Sequence, residues 1–242
     1  MVHTLPDYTS KYKNTKVANL TDIGELAARL NSINTYDRRG STVWMDDFED
    51  TLINWDQVSI GGGSAITLSA ARSWTDCQSL KLVTPNISGT ETSVLKALHE
   101  PSHTRIAAEC RMFATSDDLR LNLILNAYDG ALGHTARLRW DVAANTVAYM
   151  NDAPAWVTIS DQIDNMQASE GWIPFKVVMD FNNYEYIRAW VSNIEIDLSN
   201  LGLNTFVSGN TIRMEVALTA ETTVNANRTA YFDNVIITQG EP

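Results

Sequence analysis

Leu119-Arg-Leu-Asn-Leu-Ile-Leu-Asn-Ala-Tyr128 alternates with a period of two. Leu119, Leu121, Leu123, Leu125 and Ala127 fall on one face, and Arg120, Asn122, Ile124, Asn126 and Tyr128 on the other. Side chains of a strand point alternately to its two faces, so this pattern reads as a half-buried strand of an antiparallel sheet. The period continues outward. Ala136, Leu138, Trp140 and Val142 oppose Thr135, Arg137, Arg139 and Asp141, and Phe175, Val177, Met179 and Phe181 oppose Lys176, Val178, Asp180 and Asn182. Ile187, Ala189 and Val191 oppose Tyr186, Arg188 and Trp190, while Ile212, Met214, Val216 and Leu218 oppose Arg213, Glu215, Ala217 and Thr219. Turn formers at Gly61–Gly63, Asp129-Gly130, Asn182-Asn183 and Ser208-Gly-Asn210 separate the runs. The expected fold is all-β: an antiparallel two-sheet jelly-roll sandwich. No block repeats at a fixed period, which excludes a solenoid or propeller.

The residues ahead of the strands read differently. Ile23, Leu26, Leu30 and Ile33 recur at helical spacing, with Thr21 placed to cap the helix. The chain is therefore expected to divide into an extended N-terminal arm over 1–41, carrying one short α-helix at 21–33, and a sandwich over 42–242. A helix of this length needs an apolar surface to lie on, supplied by its own sandwich or by a neighbouring subunit.

Hydrophobic residues make up 44% of the 242, enough for a sizeable core. Lys+Arg 18 against Asp+Glu 29 gives a net charge of −11, so nucleic acid and anionic membrane are not expected as partners. No apolar run reaches transmembrane length. Met-Val-His-Thr-Leu-Pro-Asp at the N-terminus lacks the basic and apolar regions of a signal peptide, which points to synthesis in a cytoplasm. Cys77 and Cys110 give no disulfide framework or CxxC site.

Trp44-Met-Asp-Asp-Phe-Glu-Asp50 and Ala230-Tyr-Phe-Asp-Asn-Val-Ile-Ile237 place carboxylates in strand-like runs at both ends of the sandwich. The first and last strands are expected to meet near a shared polar site, and a hard cation such as calcium suits such oxygens. Phe48-Glu49-Asp50 with Trp55, Cys77-Gln-Ser-Leu-Lys-Leu82, Gly171-Trp172 and Tyr231-Phe-Asp-Asn-Val235 resemble the β-sandwich carbohydrate-binding modules of xylanases and glucanases. That resemblance covers roughly residues 45–238 and implies a lectin-like sandwich with a structural calcium. Glu49 and Asp233 would inherit the calcium site, with Asp47 as a further ligand.

Three constellations could carry chemistry. His99-Glu-Pro-Ser-His103 matches the zinc-protease pattern, but Pro101 inside the required helix would cost about 3 kcal/mol. Glu195-Ile-Asp197 resembles the start of a β-glucanase signature, in which two carboxyls stand about 5 Å apart. Asn200 stands where that signature has its third acid, so no catalytic residue is expected. The third is a polar face of Arg120, Tyr128, Arg137, Arg139, Tyr186, Arg188 and Trp190, joined by Arg213. Aromatic platforms with planar hydrogen-bonding groups serve a carbohydrate site or a protein interface, and Arg stems lying over rings also occur on plain solvated faces.

An arm and helix ahead of a sandwich is similar to phage structural proteins, in which jelly-roll or lectin-like domains decorate a capsid or tail. This resemblance implies a non-enzymatic virion protein, a capsid decoration or cement subunit made in the host cytoplasm. It would assemble as a homo-oligomer, and with other virion proteins, through Ile23, Leu26, Leu30 and Ile33. The alternative is a carbohydrate-binding module or lectin whose partners are glycans, and a β-glucanase-like hydrolase is the third reading.

Overall fold

The computed structural model describes residues 39–242 apart from 53, 59–60, 76, 101 and 161–170. Arm residues 1–38, with the expected helix, lie outside the described residues. Sixteen strands and no helix occur among those described. In chain order they are β1 (Ser41–Asp46), β2 (Asp56–Val58), β3 (Ala65–Ser69), β4 (Ser79–Val83), β5 (Glu91–Leu98), β6 (Arg105–Ala114), β7 (Leu119–Tyr128) and β8 (Leu132–Asp141). They continue as β9 (Thr146–Met150), β10 (Trp156–Ser160), β11 (Ile173–Asp180), β12 (Glu185–Val191), β13 (Ile194–Gly202), β14 (Asn204–Val207), β15 (Arg213–Thr222) and β16 (Thr229–Gln239).

Two eight-stranded sheets result. The first runs β13-β12-β11-β6-β16-β4-β3, with β1 also paired to β16. The second runs β10-β9-β8-β7-β15-β5-β2, with β14 also paired to β8. Every pairing is antiparallel. The expected all-β sandwich is what forms.

The inward residues are those the alternation selects. Leu119, Leu121, Leu123 and Leu125 of β7 are fully buried, as are Leu138 and Trp140 of β8, facing Phe175, Val177 and Met179 of β11. Each such side chain contributes about 1.5–3 kcal/mol by leaving water. Trp140 and Phe175 stack across the core with centroids 6.3 Å apart. β1 lies against β16 with Trp44 opposite Ile237 and Asp46 opposite Val235, so the chain's first and last strands meet as their composition implied.

Two inward–outward assignments need correction. Tyr186 is fully buried in the core rather than opposed to Ala189 and Val191. The register of β12 shifts after Tyr186 against both neighbours, and this bulge absorbs Ile187 and resets the alternation. Ile212 precedes β15 and is 50% exposed instead of joining Met214, Val216 and Leu218 in the core.

Candidate functional site

The outer face of the second sheet carries a built polar array. Its rows follow from the register: Thr135 pairs with Asn126, Arg137 with Ile124, Arg139 with Asn122 and Asp141 with Arg120. On β15 the same rows continue as Glu215, Ala217, Thr219 and Glu221. Outward parity on β7, β8 and β15 therefore brings Arg120, Arg137, Arg139, Arg213 and Tyr128 onto one surface, as expected from the sequence.

Most of the polar groups there are already joined. Arg139 donates to Asn122 Oδ1 (2.9 Å) and Glu221 (2.8 Å), and Asn122 Nδ2 donates to Thr219 Oγ1 (2.6 Å). Arg120 donates to Asp141 (2.7 Å) and Glu221 (3.1 Å). Thr135 donates to Asn126 Oδ1 at 2.7 Å. Arg213 pairs with Glu215, which also accepts from the Tyr128 hydroxyl at 2.9 Å. Asn122, Asn126, Thr135, Glu215 and Thr219 are all buried, so these bonds offset a desolvation cost of about 1–3 kcal/mol per group. Burial, together with the Glu215 carboxylate, pushes the Tyr128 phenol up to about 12. Burial also holds the Arg139 guanidinium below its usual value, while the Asp141 hydrogen bond raises Arg120.

Aromatic rings stand at both ends of this network. Trp156 lies under the Arg139 guanidinium at 3.9 Å. At the other end Tyr128 meets Phe206 edge-on, with centroids 6.3 Å apart, and Arg213 lies over Tyr128 at 5.3 Å. Phe206 is 40% exposed and sits on β14 opposite Gly133. A Cβ at Gly133 would lie 2.5 Å from the Phe206 ring and 3.0 Å from Tyr128, so glycine is what lets both rings approach β8.

Three residues expected on this face lie elsewhere. Tyr186 sits in the core, where its hydroxyl donates to the Met150 carbonyl (2.8 Å) and accepts from the Arg137 amide (2.9 Å). Arg188 and Trp190 belong to β12 and lie on the outer face of the first sheet. Arg188 pairs there with Glu241 and donates to the Pro242 carbonyl at 2.7 Å. Arg39 lies over the Trp190 ring at 5.3 Å. Outward parity is shared by both sheets, and only the division of strands between sheets separates these residues from Arg137. Conversely, Trp156 and Phe206 went unread because β10 and β14 are too short to give a periodic signal.

The carboxylates at the strand ends do converge on one loop. Glu49 Oε1 accepts from the Cys77 and Gln78 amides (2.9 and 2.8 Å), and Asp233 accepts from Trp74 N (2.7 Å) and Asn234 N (2.8 Å). Asn234 adopts a left-handed φ of 47° in the irregular stretch of β16 that aims Asp233 at this loop. Burial pushes the Asp233 carboxyl up to about 7, and the Glu49 charge adds to the rise. Asp233 is buried and Glu49 partly exposed, so two hard oxygen donors of like charge stand on one loop. Asp47 Oδ1 accepts from Glu49 N at 3.2 Å. Among the described residues no three His, Cys, Asp or Glu side chains converge at metal-binding spacing, so backbone carbonyls or water would have to complete the shell.

The other motifs are used structurally. His99-Glu-Pro-Ser-His103 lies in the β5–β6 connection, with no helical turn among its described residues. On edge strand β13, Glu195 pairs with Arg39 at 2.9 Å and Asp197 accepts from Ser199 N at 2.9 Å. That bonding to Ser199 lowers the Asp197 carboxyl, the opposite of what a catalytic acid requires.

No protein-family model matches the chain, and no curated protein matches it by sequence. Solved structures do match its fold. A protein of unknown function with a galectin-like fold from Bacillus subtilis aligns with a TM-score of 0.54 at 10% identity, over 83% of this chain and 97% of that one. The cellulose-induced protein Cip1 aligns at 0.53 and 15% identity, over 81% and 96%. An endo-β-1,4-glucuronan lyase from the fungus Trichoderma reesei aligns at 0.51 and 10% identity, over 82% and 96%. The chain thus has a galectin-like β-sandwich fold, in keeping with the lectin-like sandwich that its sequence resemblance implied.

Proposed function

We propose that the protein binds carbohydrate on the outer face of the second sheet, through Trp156, Phe206 and Tyr128 at the ends and Arg137, Arg139, Asn122 and Asn126 between them. The observation that carries this reading is the array itself: guanidinium groups held in place by a network of amides and hydroxyls and flanked by aromatic rings. Such groups receive sugar hydroxyls without further ordering, and a ring takes the apolar face of a pyranose. Each acid of the central network, Asp141, Glu215 and Glu221, is bonded to an arginine, which suits binding rather than proton transfer. The fold class supports the same reading, although a fold hosts enzymes as well as binding modules. Sugar binding is preferred to the virion-subunit reading, whose carriers Ile23, Leu26, Leu30 and Ile33 lie outside the described residues.

A glycan array probed with the full chain tests this. Trp156→Ala should lose at least about tenfold in affinity with an unchanged melting temperature. Trp190→Ala, on the opposite face, should bind as wild type. Absence of binding to every glycan, or loss in Trp190→Ala alone, would overturn the assignment.

A structural calcium belongs to the same proposal. Glu49 and Asp233 would be its side-chain ligands, tying the first and last strands to the 72–78 loop.

A further inference from the structure

We infer that the glycan taken by this face bears an anionic group, a carboxylate or a sulfate ester, and that Arg137 receives it. This rests on the reading of the face as a sugar site. Of the arginines on that face, Arg120 is bonded to Asp141 and Glu221, Arg139 to Glu221, and Arg213 to Glu215. Arg137 has no ion pair and no side-chain hydrogen bond among the described residues, and its Nε is buried without a partner.

The surroundings of Arg137 explain why no described residue satisfies it. Its cross-strand neighbour is Ile124, followed by Ala217 and Leu95 on the same row. On the other side the Leu138–Tyr149 register sets Met150 beside it, and Met150 pairs with Trp156. The next acid on that row is Asp56, four strands away at the β2 edge. A half-buried guanidinium between apolar side chains bears a desolvation cost that an incoming acceptor relieves. Its planar fork matches a carboxylate or sulfate through two parallel hydrogen bonds. The flanking rows, Thr135–Asn126 and Arg139–Asn122, supply groups for the neighbouring hydroxyls. Trp156 stands one strand beyond Met150 to carry the ring that bears the anion. With a net charge of −11 the chain attracts no polyanion at long range, so the discrimination is made at contact.

The test is calorimetric titration of the full chain with polygalacturonate, alginate, glucuronan and a sulfated galactan, each beside its carboxyl-reduced or desulfated form. At least one acidic polymer should bind about tenfold or more tightly than its neutral form. Carboxylated or sulfated polymers, whichever carry the preference, identify the group received. Arg137→Met should abolish the preference without lowering the melting temperature, and Arg137→Lys should restore part of it. Equal binding of acidic and neutral forms, or a preference that survives Arg137→Met, overturns the role of Arg137 and leaves the sugar site standing. Failure to bind any polymer, acidic or neutral, overturns both.

Discussion

The outer faces of the two sheets carry the same kinds of residue and use them in opposite ways. On the first sheet, Lys176 (2.8 Å) and Arg188 converge on the buried Glu241, which also accepts from Thr238, and Arg105 meets Asp180 at 3.3 Å. Arginine and aromatic side chains there hold the C-terminal residues and Arg39 in place. On the outer face of the second sheet Arg120, Arg139 and Arg213 each have a carboxylate partner, and among the described residues Arg137 has none. A collection of arginines and rings does not by itself mark a binding surface. What marks it is a cation that the fold desolvates and then leaves open.

The sharpest way to break this contrast is through stability. Glu241→Gln removes the carboxylate that Lys176 and Arg188 share, and should cost on the order of 3 kcal/mol in urea unfolding. Stripping calcium should be next in size. A site filled to about 100 times its dissociation constant contributes about 2.7 kcal/mol, which chelator would remove.

This loss depends on pH. With Asp233 raised to about 7 in the folded state, the folded chain holds a proton that the unfolded chain has released. In chelator, stability from this group is therefore present at acidic pH and falls as pH rises toward 7. Calcium should reverse that fall by favouring the ionised carboxylate, so its stabilisation should be larger at pH 8 than at pH 5. Melting curves at both values check this, and Asp233→Asn should flatten the difference.

On the second sheet the expected effects shrink. Arg139→Met deprives Asn122 and Glu221 of a charge-assisted donor and should cost about 2 kcal/mol. Arg137→Met removes no bond and should stay within about 0.5 kcal/mol of wild type. If the two arginine variants prove equally destabilising, Arg137 is a structural residue and the contrast between the faces fails.

How much of this was legible in the sequence depends on range. The alternation in Leu119–Tyr128, Ala136–Val142 and Phe175–Met179 is local and sufficed to separate core from surface. The meeting of β1 with β16 was legible because both runs carry their acids beside aromatic residues. Tyr186 was misplaced because one extra residue in β12 resets the parity, and a bulge leaves no compositional mark there. Arg188 and Trp190 were grouped with Arg137 because parity states that a side chain points outward without stating from which sheet. That choice is made by long-range pairing: β12 joins β11 and β13, whereas β8 joins β7 and β9. The closing role of Glu241 depends on the C-terminal residues folding back onto β12, for which Gly240-Glu-Pro242 gives no periodic signal.

The most direct test of the central claim is a heteronuclear NMR titration that follows the tryptophan indole and arginine Nε–H resonances as a bound glycan is added. The indole of Trp156 and the Nε–H of Arg137 should shift together and saturably, while the indoles of Trp190 and Trp74 on the other side of the sandwich stay still. Shifts confined to Trp190 and Trp74, with Trp156 and Arg137 unmoved, would place the site on the wrong sheet and contradict the account.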